Sequence, residues 1–592
     1  MKRFLYILIA CSVISCADFL KEDPPTSLTD VYGTEAELEL GIRGILRSFE
    51  GENMFTGNML ENLMSTSGLI HWGSTSSRLG DERWDCCIRN INYSSMSLNI
   101  SMYESLYKAV NNCNILLKNL PSSPVDEAYK KEIEAEAKFY RAVIYFSLVR
   151  IYGNVPLLTD GIIYATDYKP DGRTSYNKVY EQIVKDLTDA WEGMRDKDRV
   201  MEVTGTQGRP HKWAAKSMLS SVYLWIASIL TVPSDENFYN PDIPGHAPDF
   251  TALGIQSKED AWTLAYNTAK DVIDNSPYRL AKNYQDLFRW EKGYVDFYGK
   301  DCWNLDERIF VLQSTGTNRT NYSAIRSLPR YPEGTQSTGT QTRFGNWRPS
   351  RFLFQKWCEK TGGQRGTGDV AEIYVGTTDP RFDITFIHTS YVQCHNSTVS
   401  NIYPNLVAIE SATLYASMPY FKKYYTKDYT GAQNEADFYF MRLAEIYYIA
   451  AEAAARLGKE DEAYDIIENI HYRARGADVG IPKWTKGEFV GEELVNNIIW
   501  DKIFELSGEG HEYYEVRRNG SRWFSEQILQ PKNAFMDLRT NDAKRTAYYG
   551  KGFKYETDPQ KLRASLLCEF PKEELALNSS LSSADKNDFS WE

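Results

Sequence analysis

The sequence predicts a mainly α-helical protein: a tetratricopeptide-like helical-repeat scaffold carrying a loop-rich insert that contains short β segments. Three observations predict it. Stretches with helical periodicity recur from about residue 100 to 290, and a paired-helix signature stands at about 440–475. Between about 290 and 440 the periodicity fades while Gly, Thr, Ser and Asn become dense. At 592 residues and 42% hydrophobic side chains, the chain is long enough to bury a large core.

The chain opens with Lys2 and Arg3, an apolar run from Phe4 to Ile14 broken only by Ser12, and Ser15 directly before Cys16. That is the layout of a bacterial secretory signal, residues 1–15, with a lipoprotein cleavage site. The run is far short of the roughly 20 residues a membrane-spanning helix needs. The expected mature chain starts at Cys16, its thiol carrying diacylglycerol and its amine acylated. Buried acyl chains contribute about 0.8 kcal/mol per CH₂, enough to hold such an anchor in a lipid membrane. Residues 16–30, with Lys21-Glu22-Asp23 and then Pro24-Pro25, read as an extended tether.

The helices follow in order. Residues 101–120 have helical spacing and stop at Pro121. Residues 136–160 hold a strongly apolar helix ending near Gly153, with Pro156 soon after. Residues 180–191 are amphipathic, and 208–224 begin a helix whose alanines and serines suit close helix contact. Residues 265–280 end at the Asn275-Ser276-Pro277 turn. The clearest repeat is 442–458 followed by a second helix carrying Ala463, Ile467 and Ile470. Paired helices around 101–151, 176–230 and 258–290 are candidates for the other repeats. Such pairs cannot bury their apolar faces alone, so they should stack into one curved scaffold.

In the insert, β-like runs appear at Ile309 to Leu312 and Phe382 to Ile387. A long irregular stretch inside a compact protein is usually disordered or functional. Trp290, Tyr294, Tyr298, Trp303, Tyr322 and Trp347 argue against disorder.

Composition narrows the partners. The formal charge is −13, and −15 once Lys2 and Arg3 leave with the signal. That surface repels nucleic acid and anionic lipid, so no nucleic-acid partner is expected. No later stretch reads as a membrane span. The 40 Tyr, 26 Phe and 14 Trp are the unusual term, because Tyr and Trp offer flat, partly polar faces to sugar rings and peptides. Of nine cysteines, seven follow Cys16, without CxxC spacing; Cys86-Cys87 could form only a strained vicinal bridge, so no disulfide framework is expected. Cys394-His395 near His388 is the best metal-like cluster and is too sparse for a site.

Together these segments resemble the SusD/RagB family of surface nutrient-binding lipoproteins. The matches run in order: Asp18-Phe19-Leu20 in the tether, the YRAxxYFxLVRxYGxVPLLT stretch at 140–159, the YEQIxxDL helix, and the GRxxKxAAxxxLxxVYL helix. They continue through VIxxxxYxL at 272–280, ExIFxLQ at 307–313, Arg442 to Ile446, KIFELSGEGHEYYEVRRNG at 502–520 and EFPKEELALN at 569–578. Glu512 departs from the family's usual Arg after Glu-Gly-His, and Glu515 from its usual Asp. The C-terminus also lacks the usual Gln-Asn-Pro-Gly close. These read as drift in structural segments.

The resemblance implies one domain over 31–592, with four tetratricopeptide-like units and a loop-rich ligand-binding insert. It implies a protein anchored in the outer membrane through acylated Cys16 and facing the cell exterior. There it would capture oligosaccharides and pass them to a TonB-dependent, SusC-like transporter; capture of peptides, as in RagB, is the alternative. A lid that catches glycans needs aromatic faces and planar polar groups, but no cofactor and no catalytic acid. Two segments offer that mixture, and the resemblance brings them together at the ligand site. One is Ser67 to Ser95, with Trp72, Arg78, Asp81, Trp84 and Asn90; the other runs from Trp290 to Trp347 and includes Tyr294 and Tyr298. Packing inside loops, or against the transporter, is the competing role for each aromatic.

Enzyme readings fall short. Glu445 and Glu452 lie about 10.5 Å apart along one helix at 1.5 Å per residue. The roughly 5–9.5 Å of glycosidase carboxylates is within side-chain reach, which leaves a surface glycosidase as a third reading. However, Arg442 stands three residues before Glu445, where a helix ion pair forms readily. His511-Glu512-Tyr513-Tyr514-Glu515 puts Glu515 where the zinc-protease motif needs its second histidine. Gly362 to Gly368 lacks the spacing of a phosphate-binding loop.

Overall fold

A computed structural model describes residues 32–72, 97–163, 172–196, 208–241, 246–290, 294, 296, 299–300, 305–313, 347–365, 374–387, 391–395, 398–402, 420–425, 436–476, 482–537, 555–571 and 574. The signal and tether with Cys16, the segment holding Arg78, Asp81, Trp84 and Asn90, and Tyr298, Trp303 and Tyr322 lie outside the described residues.

Helices dominate. After α1 (Glu35–Phe49), α2 (Asn58–Thr66) and β1 (Ile70–Trp72) come the long scaffold helices α3 (Ser97–Asn119) and α4 (Glu127–Tyr152). Helix α4 starts well before its apolar run, because Asp126 accepts from the Ala128 and Tyr129 N–H groups. It stops where expected: Gly153 has φ 71°, a conformation costly to any residue with a Cβ. Then follow α5 (Tyr176–Gly193), α6 (Lys212–Thr231) and α7 (Lys258–Asn275), the last opened by a capping box between Ser257 and Asp260. Helix α6 is, against expectation, long and apolar enough to cross a membrane, yet 78% of its apolar window is buried inside the protein. Its buried Ala214, Ala215, Ser217 and Ser221 let neighbouring helices approach closely.

The insert contributes β2 (Arg308–Leu312), β3 (Trp347–Pro349), α8 (Arg351–Lys360), β4 (Gln364–Arg365) and β5 (Tyr374–Val375). It continues with α9 (Pro380–Thr385), β6 (Phe386–Ile387), β7 (Tyr391–His395), β8 (Thr398–Ile402) and β9 (Tyr420–Phe421). The β run expected over Phe382 to Ile387 is therefore mostly helix. Asp379 caps it by accepting from the Arg381 N–H, and Pro380 presets the first turn, so only Phe386 and Ile387 pair, with Phe421 and Tyr420.

The chain returns through β10 (Phe438–Arg442) to α10 (Leu443–Arg456), α11 (Glu460–Arg475) and α12 (Gly491–Glu505). A C-terminal block follows: α13 (Glu512–Arg518), α14 (Gly520–Phe524), a π-helical turn (Ser525–Leu529), α15 (Gln530–Asp537) and α16 (Pro559–Leu562).

The scaffold is a continuous packing series in which α3 lies on α4, α4 on α5, α5 on α6, α6 on α7, α7 on α10, and α10 on α11. The pair expected within 258–290 is thus completed across the insert: α7 packs on α10, not on a helix that follows it directly. Buried Ala261, Ala265 and Ala269 on α7 and Ala444, Ala450 and Ala451 on α10 permit that approach. Antiparallel pairing of β2 with β10 closes the base of the insert at the same place. Cys113, Cys358 and Cys568 are buried free thiols.

Candidate ligand-binding site

Strand β1 pairs antiparallel with β3, in the register Ile70 with Pro349, His71 with Arg348 and Trp72 with Trp347. The first aromatic-rich segment leaves this ladder after Trp72, and the second re-enters it at Trp347. One short ladder therefore joins one end of each candidate segment.

Four contacts fix the β1 side of the ladder. Arg517 donates to the Thr66 carbonyl at 2.7 Å, Lys532 to the Gly68 carbonyl at 2.9 Å, and the Ser350 N–H to the Leu69 carbonyl at 2.7 Å. Ser67 Oγ meanwhile accepts from the Leu69 N–H at 3.1 Å. Arg517 and Lys532 are themselves buried, 4% and 5% exposed, so their charges are spent on carbonyls and aromatic faces (Phe524 and Tyr555). Sequence reading gave no sign of this role for either residue, since their targets lie more than 400 positions away.

The described candidates separate by burial. Trp347 is 0% exposed and Trp290 is 4% exposed, with its indole N–H donating to the Lys423 carbonyl at 2.8 Å. Both are packed in the interior: a loop-rich stretch still needs a core, and the largest rings supply it. Tyr294 is different. It is half-buried, its hydroxyl donates to Asp286 at 2.6 Å, and the Arg289 guanidinium sits 4.6 Å from its ring centroid. Burial and the Asp286 carboxylate push its phenol up to about 12, so it stays a neutral donor with a fixed ring plane. Trp72 lies on the β1 backbone, and Arg78, Asp81, Trp84, Asn90 and Tyr298 lie outside the described residues.

A buried ionic network joins insert to scaffold. Arg442 contacts Glu307 at 2.9 Å, Glu505 at 2.7 Å and Glu509 at 2.8 Å. From the insert, Lys423 meets Glu509 at 2.7 Å, and Arg381 meets Asp379 at 2.8 Å, Asp501 at 2.6 Å and Glu505 at 3.2 Å. Arg473 also meets Glu505, while Tyr448 and His471 meet Asp501. The expected pairing of Arg442 with Glu445 does not form. Arg442 caps α10 in an extended conformation, φ −136° and ψ 160°, so the helical three-residue spacing does not apply to it.

Glu452 is instead held by both terminal nitrogens of Arg518, which also binds Glu515. With Glu452 fully engaged, the two carboxylates of α10 do not make a free acid–base pair. Glu512 and Glu515, the two departures in the His511 stretch, are both buried and serve the fold. Glu515 bridges Arg518 and Lys502, and Glu512 accepts from the Gly508 N–H. Among the described residues, no group of three or more His, Cys, Asp or Glu side chains converges as a metal site.

Two family models match this chain: residues 306–584 match the model described as SusD family, and residues 18–224 the model described as starch-binding associating with outer membrane. A SusD-like protein of Formosa agariphila is 23% identical over 546 residues, 87% of this chain and 89% of that one. Among solved structures, a SusD homolog from Bacteroides thetaiotaomicron superposes with TM-score 0.68 at 17% identity, covering 95% of this chain and 98% of that one. A laminarin binding SusD-like protein superposes with TM-score 0.58 at 19% identity, covering 92% and 98%.

Proposed function

The chain belongs to the SusD family, and from that membership we propose that it is a non-catalytic, cell-surface binding protein that captures oligosaccharides and delivers them to a TonB-dependent, SusC-like transporter in the outer membrane. The observation that carries the reading is the β1–β3 ladder, where one aromatic-rich segment departs after Trp72 and the other arrives at Trp347. Trp72, Trp84, Tyr294 and Tyr298 are the proposed aromatic contacts for sugar CH surfaces, and Arg78, Asp81 and Asn90 the proposed hydrogen-bonding partners for hydroxyls. The laminarin-binding relative supports a glycan as the ligand class. Engagement of Glu452 by Arg518 weighs against the glycosidase reading.

Calorimetry of the purified protein against a panel of laminarin, other oligosaccharides and oligopeptides tests this. At least one glycan should bind. Tyr294→Ala should lower that affinity by about tenfold, worth roughly 1.4 kcal/mol, with little change in thermal stability. Binding of peptides alone would move the reading to peptide capture, and binding of neither class would remove it.

Residues 1–15 are proposed as the signal and 16–30 as the lipidated tether facing the cell exterior. Cys16→Ala should leave folding and ligand binding intact while releasing the protein from the outer-membrane fraction. Retention of that variant in the membrane fraction would contradict the anchor.

A further inference from the structure

A pocket of about 60 Å³ lies in the scaffold between α4, α6, β10, α10 and the turn that leads into α13, and the proposed capture of glycans does not use it. Its wall is mostly apolar, with Leu63, Met218, Phe440 and Met441. Two charged side chains of opposite sign also line it, and each has unused hydrogen-bonding capacity.

The cation is Arg150. Its Nε donates to the Phe146 carbonyl at 2.9 Å, and its guanidinium carbon lies 3.8 Å from the ring centroids of both Phe146 and Tyr514. The terminal nitrogens bond no acceptor, and no carboxylate makes an ion pair with the group among the described residues. The anion is Glu445, 6% exposed. Its Oε1 accepts a long bond from Ser221 Oγ at 3.4 Å and lies 3.9 Å from His511 Nδ1. Its Oε2 is buried with no donor at all. Burial lowers His511, so that ring stays neutral and does not balance the carboxylate. Glu509, the other acid of the lining, is already taken up by Arg442 and Lys423.

Buried charges persist when paired and hydrogen-bonded. The molecule that completes both groups at once carries a carboxylate for the planar guanidinium and an ammonium for the open carboxylate oxygen. Water fits the volume and can hydrogen-bond either group, but only a molecule that carries both charges pairs each of them. We propose that this pocket binds a free α-amino acid of short side chain, with its carboxylate on Arg150, its ammonium on Glu445 and its side chain against Met218 and Phe440. The small volume favours short side chains such as those of glycine, alanine and serine.

Thermal unfolding and calorimetry of the purified full chain with alanine, N-acetylalanine, alanine amide and leucine decide the matter. Alanine should raise the melting temperature saturably at millimolar concentration or below. The two blocked derivatives should not, since each lacks one charge, and leucine should bind more weakly than alanine. Glu445→Gln should weaken alanine binding by about tenfold or more, because a charge-assisted bond is lost. If that variant does not fold, the blocked derivatives on the unaltered protein still discriminate. No response to alanine, or an equal response to alanine and N-acetylalanine, overturns the proposal and leaves a pocket that holds water only.

Discussion

Replacing Arg442 by methionine is expected to destabilise the protein by about 3–5 kcal/mol, the range for removing one partner of a buried ionic group. The side chain is 1% exposed, and it contacts three carboxylates that are themselves 0–2% exposed. Methionine fills much of the volume and supplies none of the charge. Glu307 would keep Arg473 and the Ala281 N–H, while Glu505 and Glu509 would share what Arg381, Arg473 and Lys423 still provide. The insert should loosen first, because Arg381 and Lys423 reach the scaffold through these same acids. Urea unfolding with hydrogen exchange over 374–387 and 420–425 reads both effects. A matched loss at the exposed Lys178–Glu181 pair, 62% and 25% exposed, should stay within about 1 kcal/mol. Equal losses at the two sites would contradict this account of the core.

Acid should be the second large effect. Burial alone would raise Asp501, Glu505 and Glu509, but the cations around them more than reverse it. Arg381 and His471 hold Asp501 far below the usual carboxylate range; Arg473, Arg442 and Arg381 do so for Glu505; and Arg442 and Lys423 lower Glu509. Glu515, also buried, is lowered to about 2 by Arg518 and Lys502. A depressed carboxylate contributes stability that is whole above its unfolded pKa and is lost as pH falls toward its folded one. For Glu515 that window runs from 4.5 down to about 2, and at about 1.36 kcal/mol per unit the loss is roughly 3 kcal/mol. The melting temperature should therefore fall steeply below about pH 4.5, faster than exposed acids would produce.

Glu512 has the opposite sign. Burial raises it to about 7, so its neutral form favours the fold at low pH, and that contribution fades as pH rises through neutrality. Glu512→Gln should gain stability relative to the parent at alkaline pH and lose that advantage near pH 4.5. A flat acid profile, or a pH-independent effect of Glu512→Gln, would sink this assignment.

How much of this could be read from the residues alone depends on range. Local signals served well: Gly153 ends α4, Ser276-Pro277 follows α7, and Ile309 to Leu312 lie in β2. They failed where two local signals competed. The alternation of Phe382, Ile384 and Phe386 suggested a strand, while Asp379-Pro380 had already set a helix start. They failed again where the partner was distant, as with Arg442, which binds residues 135, 63 and 67 positions away. For the candidate site, sequence singled out the aromatic-rich stretches but not which rings face inward. Trp347 and Tyr294 look alike in a string of letters. Only the cross-strand register and the Asp286 bond separate a core indole from a ring held at the surface.

The direct contact of α7 with α10, with β2 paired to β10 beside it, brings the two ends of the insert together at one place. In engineering terms the insert is a cartridge in a fixed socket. Its two leads enter side by side, and the solenoid closes beneath them much as it would without them. Sequence change within the cartridge can therefore retune what is recognised while the helical back of the molecule keeps its shape.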